Sequence, residues 1–472
     1  MSFVFYDVET SGLRPGFDQI LHFAAIKTDF DLCELARAEF RSRLMPHVLP
    51  SPAALCINGL RIGQLTNPNL PSHYQMVCSI RDQLRDWCPS IFAGYNSIRF
   101  DEEFLRQALY QCLHDPYLTS GTGNGRLDVL SVARAAAVLV PGCLEVPVDA
   151  DGRAVFRLEA LAAANGFSDG RSHEALSDVE ATLFVARMIK ARAPDVWSQA
   201  ARFGAKRAVL DFIAGEEAFM LVDGPWTAAP LLAVAILGAS PRNPNLRYCL
   251  NLAHDPRLLS ELSEADLSDL LARGEQPLVS FKVNSAPLLF SLDDVPQGTH
   301  ISSVTVSLAL ERAAVLKGLG SLRARLLEHA QSAERIFERS AEVEQQLYEG
   351  FWCAEDARVL EHLHDVPWEE RPPLISQIKD QRLRVLGRRL LFLERPDLLP
   401  AERVERAHQA VNERLFDSNR PWTTFDKALS EIHEVAVTAD ATGRSNLGEY
   451  QLHLEKRRDS GNNGFTGSGI AA

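Results

Sequence analysis

The chain has 472 residues, of which 46% are hydrophobic and 24% charged. This composition excludes long disordered, collagen-like or fibrous architectures, and at roughly 150 residues per domain the length predicts about three domains. The formal net charge of −13, from 49 Lys and Arg against 62 Asp and Glu, excludes nucleic-acid binding through overall positive charge and leaves only local basic surfaces for that purpose.

The N-terminal part of the chain alternates strand-like and helix-like patterns. Strands are predicted from the apolar run at 3–6, the alternating stretch at 20–30, and runs at 40–44 and 91–95. Helical periodicity is found at 79–87, 102–113, 128–139, 157–164 and 176–191. Strands interspersed with helices predict an α/β layer that ends near Pro194.

From about residue 203 the pattern changes to a β-rich region and then to helices. Strands are predicted at 218–222, 231–237, 248–252, 278–283 and 288–292, with one helix at 256–272. Helices dominate from about residue 306, and their periodicity from 334 to 454 is broken by prolines. The predicted domains are an α/β domain at 1–195, a β-rich domain at 196–345, a helical domain at 346–455 and a flexible tail at 456–472.

Membrane and metal-thiol classes are disfavoured by the sequence. No apolar stretch reaches the ~18 residues that cross a bilayer, and the N-terminus becomes acidic too early for a signal peptide, so we predict a cytoplasmic protein. The eight cysteines are scattered, without a CxxC pair or a Cys/His cluster of zinc-ligand spacing. We therefore expect reduced thiols and no sulfur-bound structural metal.

The first chemically informative residues are Asp7 and Glu9, at the end of the first apolar run. On a strand, side chains two residues apart point to the same face. Two like charges held close together in a partly buried site repel each other unless a cation is present. Carboxylate oxygens suit Mg²⁺ or Mn²⁺, although an exposed Asp-x-Glu in a turn is the simpler alternative.

Two later motifs also carry acids. Asp101 begins a predicted helix directly after a strand, where an Asp also serves as an ordinary N-cap. The adjacent Glu102 and Glu103 are expected to complement the helix dipole without a catalytic role. His173 precedes Asp178 by five residues, with Asp178 on a predicted helix and His173 at its start or in the loop before it.

Taken together, these motifs resemble the DEDDh branch of the ribonuclease H-like 3′-to-5′ exonucleases. Asp7 and Glu9 match the first motif, Asp101 closes Tyr-Asn-x-x-x-Phe-Asp, and His173 and Asp178 form His-x-x-x-x-Asp. The stretches YDVETSG, GYNSIRFDEEFLRQ, HEALSDVEAT and QQLYEGF are similar to the bacterial exodeoxyribonuclease I family, and the likeness spans most of the chain. Small proofreading subunits and oligoribonucleases lack such a long C-terminal extension.

The resemblance implies a fold and a reaction. The expected architecture is a ribonuclease H-like nuclease domain with a mixed β-sheet flanked by helices, followed by a β-rich SH3-like domain and an all-helical C-terminal domain. The expected activity is 3′-to-5′ degradation of single-stranded DNA to nucleoside 5′-monophosphates, in DNA repair and recombination. Asp7, Glu9, Asp101 and Asp178 would hold two Mg²⁺ ions, with Mn²⁺ as a substitute, and His173 would act as the general base.

Substrate contacts are expected next to these motifs. The resemblance implies that the loop after the first motif contacts the terminal nucleotide and that Leu13 wedges between the last bases, although the same loop suits a plain turn. Related enzymes often carry an aromatic residue where this chain has Ser11. The predicted substrate-binding residues are Thr10, Ser11, Gly12, Leu13, Tyr95, Asn96, Arg99 and Arg157. Further cationic candidates are Arg14, Arg126, Arg153, Lys206, Arg207 and the stretch 379–389.

The expected partners are single-stranded DNA with a 3′ end and, from the resemblance, the acidic Phe-ended tail of single-stranded DNA-binding protein; the chain is expected to be monomeric. Two alternatives stay open. One is an RNA-trimming enzyme of the same chemistry, since stacking and phosphate contacts do not distinguish ribose from deoxyribose. The other is a non-catalytic scaffold that binds nucleic acid. The intact motif residues weigh against the scaffold, and the long C-terminal extension weighs against RNA trimming.

Overall fold

The computed structural model describes residues 2–121, 123–168, 174–222, 231–272, 277–295, 301, 304–335 and 338–462. Within these ranges, no helix combines the length and the apolar character that crossing a bilayer requires.

The first sheet has five strands and is mixed. Its strands are β1 Ser2–Thr10, β2 Ile20–Thr28, β3 Glu34–Arg41, β4 Ser90–Gly94 and β5 Gly125–Asp128. They lie in the order β3-β2-β1-β4-β5; β2 is antiparallel to its neighbours β1 and β3, whereas β4 and β5 run parallel to β1. Because β1 and β4 are parallel neighbours, their carboxyl ends meet at the same edge of the sheet. The residues that follow these two strands are thereby brought together.

Helices cover both faces of this sheet. The helices in this part of the chain are α1 Pro52–Asn58, α2 Ile62–Leu65, α3 His73–Trp87, α4 Asp101–Gln111, α5 Val129–Leu139, α6 Leu158–Ala164, α7 Ala175–Arg192, α8 Pro194–Arg202 and α9 Lys206–Gly215, of which α9 packs in a separate core with the second sheet described below. Phe3 and Phe5 pack in a core with α5, α7 and α8, whereas Val4 and Tyr6 pack in a second core with α3 and α4. This alternation follows from the two-residue period of a strand. It places odd-numbered side chains of β1 on the α7 face.

The second sheet has five antiparallel strands. They are β6 Phe219–Val222, β7 Leu231–Ala239, β8 Leu246–Asn251, β9 Leu278–Lys282 and β10 Leu288–Ser291, in the order β10-β6-β7-β8-β9. The accompanying helices are α10 Pro256–Glu261, α11 Glu264–Ala272, α12 Val306–Gly318 and α13 Gly320–Ser332. The predicted β-rich region is therefore confirmed, and its SH3-like character stays a prediction. The apolar core around Phe3 and Phe5 continues through α8 into this sheet.

The C-terminal region is helical and packs against the first sheet's helices. Its helices are α14 Ala354–Asp365, α15 Arg371–Gln377, α16 Gln381–Glu394, α17 Ala401–Phe416, α18 Phe425–Thr438 and α19 Ala441–Asn462. Helices α14 to α16 share a core with α3 and α4, and α17 to α19 share another with α1 and α2. The C-terminal region thus packs against the α/β part of the chain through two separate apolar cores.

Several elements differ from the sequence predictions, and helices α1, α2, α8 and α9 were not predicted. The third strand lies at Glu34–Arg41, earlier than the run at 40–44, because it is a sheet-edge strand whose residues are all exposed or half-buried and form no apolar run. Strand β5 was not predicted. The helix predicted at 256–272 is two helices, and the Ser263 hydroxyl accepts from the backbone N–H of Asp266 to start the second. Helix α19 extends to Asn462, past the predicted start of the tail at 456, and residues 463–472 lie outside the described residues.

Candidate active site

Asp7 and Glu9 lie near the carboxyl end of β1, on the face that α7 covers. Across the β1–β2 pair Asp7 is opposite Ala24 and Glu9 is opposite His22, so the antiparallel register holds both acids in place. Both side chains are half-buried. The predicted shared face therefore holds in the structure, and the alternative of an exposed turn is excluded.

Asp178 joins these two acids from α7. It lies in the first turn of that helix, and carboxylate oxygens of Asp7, Glu9 and Asp178 all lie within 4.8 Å of one another. We call these three residues the carboxylate cluster. In the described part of the chain, no other group of three His, Cys, Asp or Glu side chains has this spacing.

Burial and the repulsion between neighbouring carboxylates raise the pKa values of Asp7 and Glu9. Burial raises the pKa of Asp7 well above its usual range, and the charges of Asp101, Glu9 and Asp178 raise it further. Burial and the Asp178 carboxylate raise the pKa of Glu9 to about 8. A hard divalent cation would supply the positive charge that keeps these acids ionised, so the cluster fits Mg²⁺ or a similar ion.

Asp101 is tied to the same strand by a hydrogen bond. The backbone N–H of Val8 donates to Asp101 Oδ1 at 3.0 Å, and the Asp101 side chain is 3% exposed. Asp101 is the first residue of α4, and its carboxylate makes this cross-link instead of serving as an ordinary N-cap. Burial raises the pKa of Asp101 to about 7, with Asp128 and Asp178 raising it as well. Asp101 therefore stands beside the carboxylate cluster, held from the opposite face of β1.

Sequence reasoning missed Asp128, which organises the turn before α4. Its buried carboxylate accepts from the backbone N–H groups of Leu130 at 3.1 Å and Asn96 at 2.9 Å. Asn96 has a left-handed backbone, with φ of 61°. An Asp directly before an apolar helical run is an N-cap signal, which could have marked Asp128 as structural. Nothing local in the sequence links it to Asn96, which lies 32 positions earlier.

Three other predicted substrate-binding residues, Tyr95, Arg99 and Arg157, lie in different surroundings. The Tyr95 hydroxyl donates to the carbonyl oxygen of Phe156 at 2.5 Å, so this hydroxyl is committed to a cross-link within the protein. Arg99 is exposed and lines the main cleft described below. Arg157 is also exposed, at the N-cap of α6, but is not among the residues that line that cleft.

The loop after the first motif is held by Asp18, and we call residues 10–18 the wedge loop. The Ser11 side chain is fully buried, and its hydroxyl donates to Asp18 Oδ1 at 3.2 Å. A Cβ at Gly12 would lie 2.5 Å from Asp18 Oδ2, so a side chain at this position would displace the Asp18 carboxylate. Leu13, by contrast, is 79% exposed. The Ser11 side chain is therefore unavailable to a substrate and the Leu13 side chain is accessible, and contact of the substrate with backbone groups of this loop stays a prediction.

Within this loop, the Thr10 hydroxyl donates to the carbonyl oxygen of Gly12 at 2.7 Å and is also buried. His173 lies outside the described residues. Helix α7 begins at Ala175, so His173 directly precedes the helix that carries Asp178.

Glu102, which was expected to complement the helix dipole of α4, is a buried acid that pairs with two arginines. It is 1% exposed and forms ion pairs with Arg126 at 2.7 Å and Arg106 at 2.5 Å. Because Arg126 is paired in this way, its charge is already neutralised by the protein. Glu103, on the same helix, accepts from the Tyr348 hydroxyl at 2.5 Å, which links α4 to the C-terminal region.

A large cleft of about 2750 Å³ lies between the α/β, β-rich and C-terminal parts of the chain. We call it the main cleft. Its described lining includes ten Lys or Arg residues, among them Lys206, and eight Asp or Glu residues, a local excess of positive charge on an acidic protein. Tyr348 and Phe351 in the lining are 54% and 85% exposed, and the Phe351 ring lies 5.6 Å from that of Tyr117. Cations with exposed aromatic rings suit a single nucleic-acid strand.

The main cleft reaches the active-site edge of the first sheet without including the carboxylate cluster. Its lining contains Ile98, Arg99 and Asp128, which flank Asp101. A strand in the cleft could therefore lead its end toward the carboxylates.

Comparisons with known proteins identify two families along the chain. A family model described as Exonuclease matches residues 4–186, and one described as Exonuclease I C-terminal domain matches residues 341–456. Exodeoxyribonuclease I of Escherichia coli strain K12 is 28% identical over 403 residues, which cover 82% of this chain and 84% of that protein.

Solved structures agree over nearly the full length. An exonuclease I from Methylocaldum szegediense aligns with a TM-score of 0.84 and 27% identity, over 97% of this chain and 99% of that one. Exonuclease I of E. coli in complex with a dA16 oligonucleotide aligns with a TM-score of 0.85 and 24% identity, over 96% of this chain and 99% of that one. The first sheet, its helices and the helical C-terminal region thus have the fold of these proteins.

Proposed function

The chain belongs to the exonuclease I family, and from this membership we propose that it is a 3′-to-5′ exonuclease that degrades single-stranded DNA to nucleoside 5′-monophosphates in DNA repair and recombination. The observation that carries the proposal is the carboxylate cluster, Asp7, Glu9 and Asp178, at the carboxyl edge of a ribonuclease H-like sheet. The proposal places the enzyme in the cytoplasm with the DNA that it would digest.

The family is metal-dependent, and we assign two Mg²⁺ ions to this site, held by the cluster and Asp101. The raised pKa values of Asp7, Glu9 and Asp101 support the assignment, because among the described residues no neighbouring positive charge outweighs the burial of these acids. When bound, two such ions make water a better nucleophile near neutral pH and stabilise charge on the phosphoryl oxygens. Mn²⁺ has the same ligand preferences and would substitute.

The residues of the chain would divide the remaining work. His173 would accept a proton from the attacking water at an imidazole nitrogen, as the new oxygen–phosphorus bond forms and the bond to the 3′ oxygen of the preceding nucleotide breaks. Leu13 would insert between the last two bases and so separate the terminal nucleotide from its neighbour. The products are a nucleoside 5′-monophosphate and a strand one nucleotide shorter with a free 3′ hydroxyl.

The main cleft supports a single-stranded substrate. Its exposed Tyr348 and Phe351 rings offer stacking surfaces that paired bases cannot use, and its cations follow a phosphate backbone. The related E. coli enzyme has been solved with DNA oligonucleotides. One chain supplies both the cleft and the cluster, which supports action as a monomer. Whether the enzyme discriminates against RNA is measured in the experiment that follows.

The test compares Asp7→Asn and Asp178→Asn with Asp195→Asn, the same change at an exposed acid of α8. Each protein is incubated with end-labelled single-stranded DNA, duplex DNA or RNA, with Mg²⁺ or with a chelator, and the products are sized to the nucleotide. We expect Mg²⁺-dependent mononucleotide release from single-stranded DNA by the parent and the control only. Full activity in either cluster variant would refute the metal site, and equal digestion of RNA would refute the substrate assignment.

We also propose a docking site for the acidic, Phe-ended tail of single-stranded DNA-binding protein. A second cleft of about 1060 Å³ lies along α16 and α17, and its described lining holds six arginines against three acids. The arginines surround the apolar side chains of Phe392, Leu393 and Val411. This combination suits an acidic peptide that ends in an apolar side chain, and its charge supports this partner over a basic one.

A further inference from the structure

The wedge loop carries Leu13 at its exposed tip, but its base is fixed by side chains that point inward. Asp18 accepts from the backbone N–H of Arg14 at 2.9 Å and from the Ser11 hydroxyl at 3.2 Å. Next to it, Phe17 is 6% exposed, and its backbone N–H donates to the carbonyl oxygen of Arg14 at 2.9 Å. Any shift of Phe17 would therefore move the turn that presents Leu13.

The ring of Phe17 packs against the C-terminal region and not against its own sheet's helices alone. It lies 5.4 Å from the Trp422 ring, which is 7% exposed between α17 and α18. The Arg414 guanidinium lies 4.0 Å from the centre of the Trp422 ring, and the indole N–H donates to the Arg414 carbonyl oxygen at 2.7 Å. The orientation of the Trp422 side chain is thus fixed by the Arg414 guanidinium on the face of its ring and by the hydrogen bond of its indole N–H.

A buried acid anchors this contact from behind. Glu344 is 1% exposed and pairs with Arg414 and Arg389, each at 2.8 Å. The two arginines neutralise the buried carboxylate, and the shared oxygen fixes Arg414 relative to α16. The backbone of Glu344 also lies directly behind Gly16 of the wedge loop, where an added Cβ would approach its carbonyl oxygen to 3.4 Å.

A second C-terminal contact holds the other end of the loop. The backbone N–H of Ser51 donates to the Ser11 carbonyl oxygen at 2.7 Å. Glu431 on α18 accepts from the Ser51 hydroxyl at 2.7 Å and from the Ala53 backbone N–H at 3.1 Å. The Phe17 end of the wedge loop is therefore held by Trp422, and the Ser11 end is held by Ser51, which Glu431 of α18 holds in turn.

We propose that Trp422 is a positioning residue for Leu13, so that the C-terminal region sets the geometry of the terminal nucleotide in addition to lining the main cleft. This inference rests on the proposed function, because it assigns the Leu13 tip to the end of a DNA strand. Trp422 itself touches no substrate; it acts through Phe17 and the turn that Asp18 holds. Loss of the Trp422 ring would leave the strand bound in the cleft but its last nucleotide misplaced.

The chain offers a matched control for this contact. Trp368, in the same C-terminal region, lies 5.3 Å from the ring of Tyr74 on α3, and the Arg371 guanidinium lies 4.0 Å from the centre of its ring. Like Trp422, Trp368 therefore contacts both an arginine side chain and an aromatic ring of the α/β part. Unlike Trp422, it does not contact the wedge loop. Trp368→Ala therefore removes an equivalent contact without the proposed consequence.

The experiment compares Trp422→Ala, Trp422→Phe and Trp368→Ala with the parent chain. Single-turnover release of the first nucleotide is measured in Mg²⁺, strand affinity is measured with a chelator, and 2-aminopurine at the 3′ end reports unstacking of the last base. For Trp422→Ala we expect a rate lower by about 10²-fold, the size of effect that small misplacements produce, with unchanged affinity and no unstacking signal. Trp422→Phe should recover most of the rate, and Trp368→Ala should match the parent.

A double-mutant cycle separates positioning from general damage. If Trp422 acts through Leu13, the Trp422→Ala change adds no further loss of rate in a Leu13→Ala background. Additive losses, or a Trp422→Ala enzyme equal to Trp368→Ala in rate and in 2-aminopurine signal, would overturn the inference. Phe17→Leu tests the same link should Trp422→Ala fail to fold. An inactive parent chain would instead refute the proposed function.

Discussion

At the scale of single residues, the sequence identified the acids but not their surroundings. Asp7 and Glu9 could be paired because a strand places side chains two residues apart on one face, and the structure brings Asp178 to them from α7. Two contacts of buried groups could not be predicted: the hydrogen bond from the Ser11 hydroxyl to Asp18 and the ion pair of Glu102 with Arg126. In both, the partner is brought close only by the folded backbone. Short-range spacing reports a shared face, whereas a satisfied polar group depends on tertiary contacts.

The role of His173 is tested by His173→Ala. General-base catalysis contributes roughly 10²–10⁴-fold, so single-turnover release of mononucleotides should fall by that factor, while Mg²⁺ binding measured by calorimetry persists. The ionisation near pH 6.5 expected of a catalytic imidazole should also vanish from the pH–rate profile. His362→Ala, at an exposed histidine of α14, is the control. An unchanged rate for His173→Ala would remove this residue from the mechanism.

At the scale of elements, strands with apolar runs were predictable, and strands without such a run were not. All five strands of the second sheet, including the edge strand β9, most of whose residues are exposed or half-buried, lie within two residues of the predicted segments, whereas the short strand β5, with the sequence Gly-Arg-Leu-Asp, has no apolar run although it is buried. Strand β3 is amphipathic at a sheet edge, so its pattern is weak in sequence. Helices α10 and α11 looked like one helix because hydrophobic periodicity continues across Ser263, whose hydrogen bond to the Asp266 backbone starts a new helix.

The α/β part and the C-terminal part of the chain meet at a pair of histidine rings in contact. His114 follows α4 and His364 lies on α14, with ring centres 3.8 Å apart, and Arg81 of α3 lies 3.4 Å from the His114 ring nitrogen Nδ1. His364 Nδ1 and Arg371 of α15 both contact the Tyr74 hydroxyl. Burial lowers the pKa of His114 to about 2 and that of His364 to about 4, and nearby positive charges, including Arg81, add to both effects.

This pair predicts acid sensitivity of the contact between α4 and α14. In the unfolded chain His364 binds a proton below about pH 6.5, whereas in the folded chain it binds one only below about pH 4. The free energy of unfolding therefore falls as the pH drops from 6.5 to about 4. Each such proton costs about 1.4 kcal/mol per pH unit. Urea unfolding at pH 7, 6 and 5 should show a shallower decline for His364→Gln than for the parent. His362→Gln on the same helix should follow the parent, and identical slopes in all three would contradict the prediction.

At the scale of the whole molecule, composition and periodicity predicted the order of an α/β, a β-rich and a helical part, but not how they assemble. The main cleft exists because α14 to α16 pack on α3 and α4 while the second sheet continues the core of the first. These contacts join segments hundreds of residues apart, and a single sequence contains no signal for them. The bounds 1–195, 196–345 and 346–455 stay a prediction.

The second cleft predicts a charge-dependent partner contact on the outside of the molecule. The double variant Arg403→Glu/Arg406→Glu should weaken binding of a fluorescent acidic peptide that ends in Phe by about tenfold, a change of about 1.4 kcal/mol, measured by polarisation. Arg358→Glu, at an exposed arginine of α14 outside this cleft, should leave the affinity unchanged, as should the double variant leave mononucleotide release. Equal affinity of the double variant and the parent would exclude this docking site.

The apolar core that runs from Phe3 and Phe5 through Trp197 of α8 into the second sheet has a practical consequence for dissecting the enzyme. A truncation placed after α7 would remove Trp197, whose ring lies 5.5 Å from that of Phe3, and would expose apolar surface on the remaining fragment. We therefore expect a fragment cut at that border to be less stable than the full chain, because the apolar core beneath the acids extends beyond the residues that carry them.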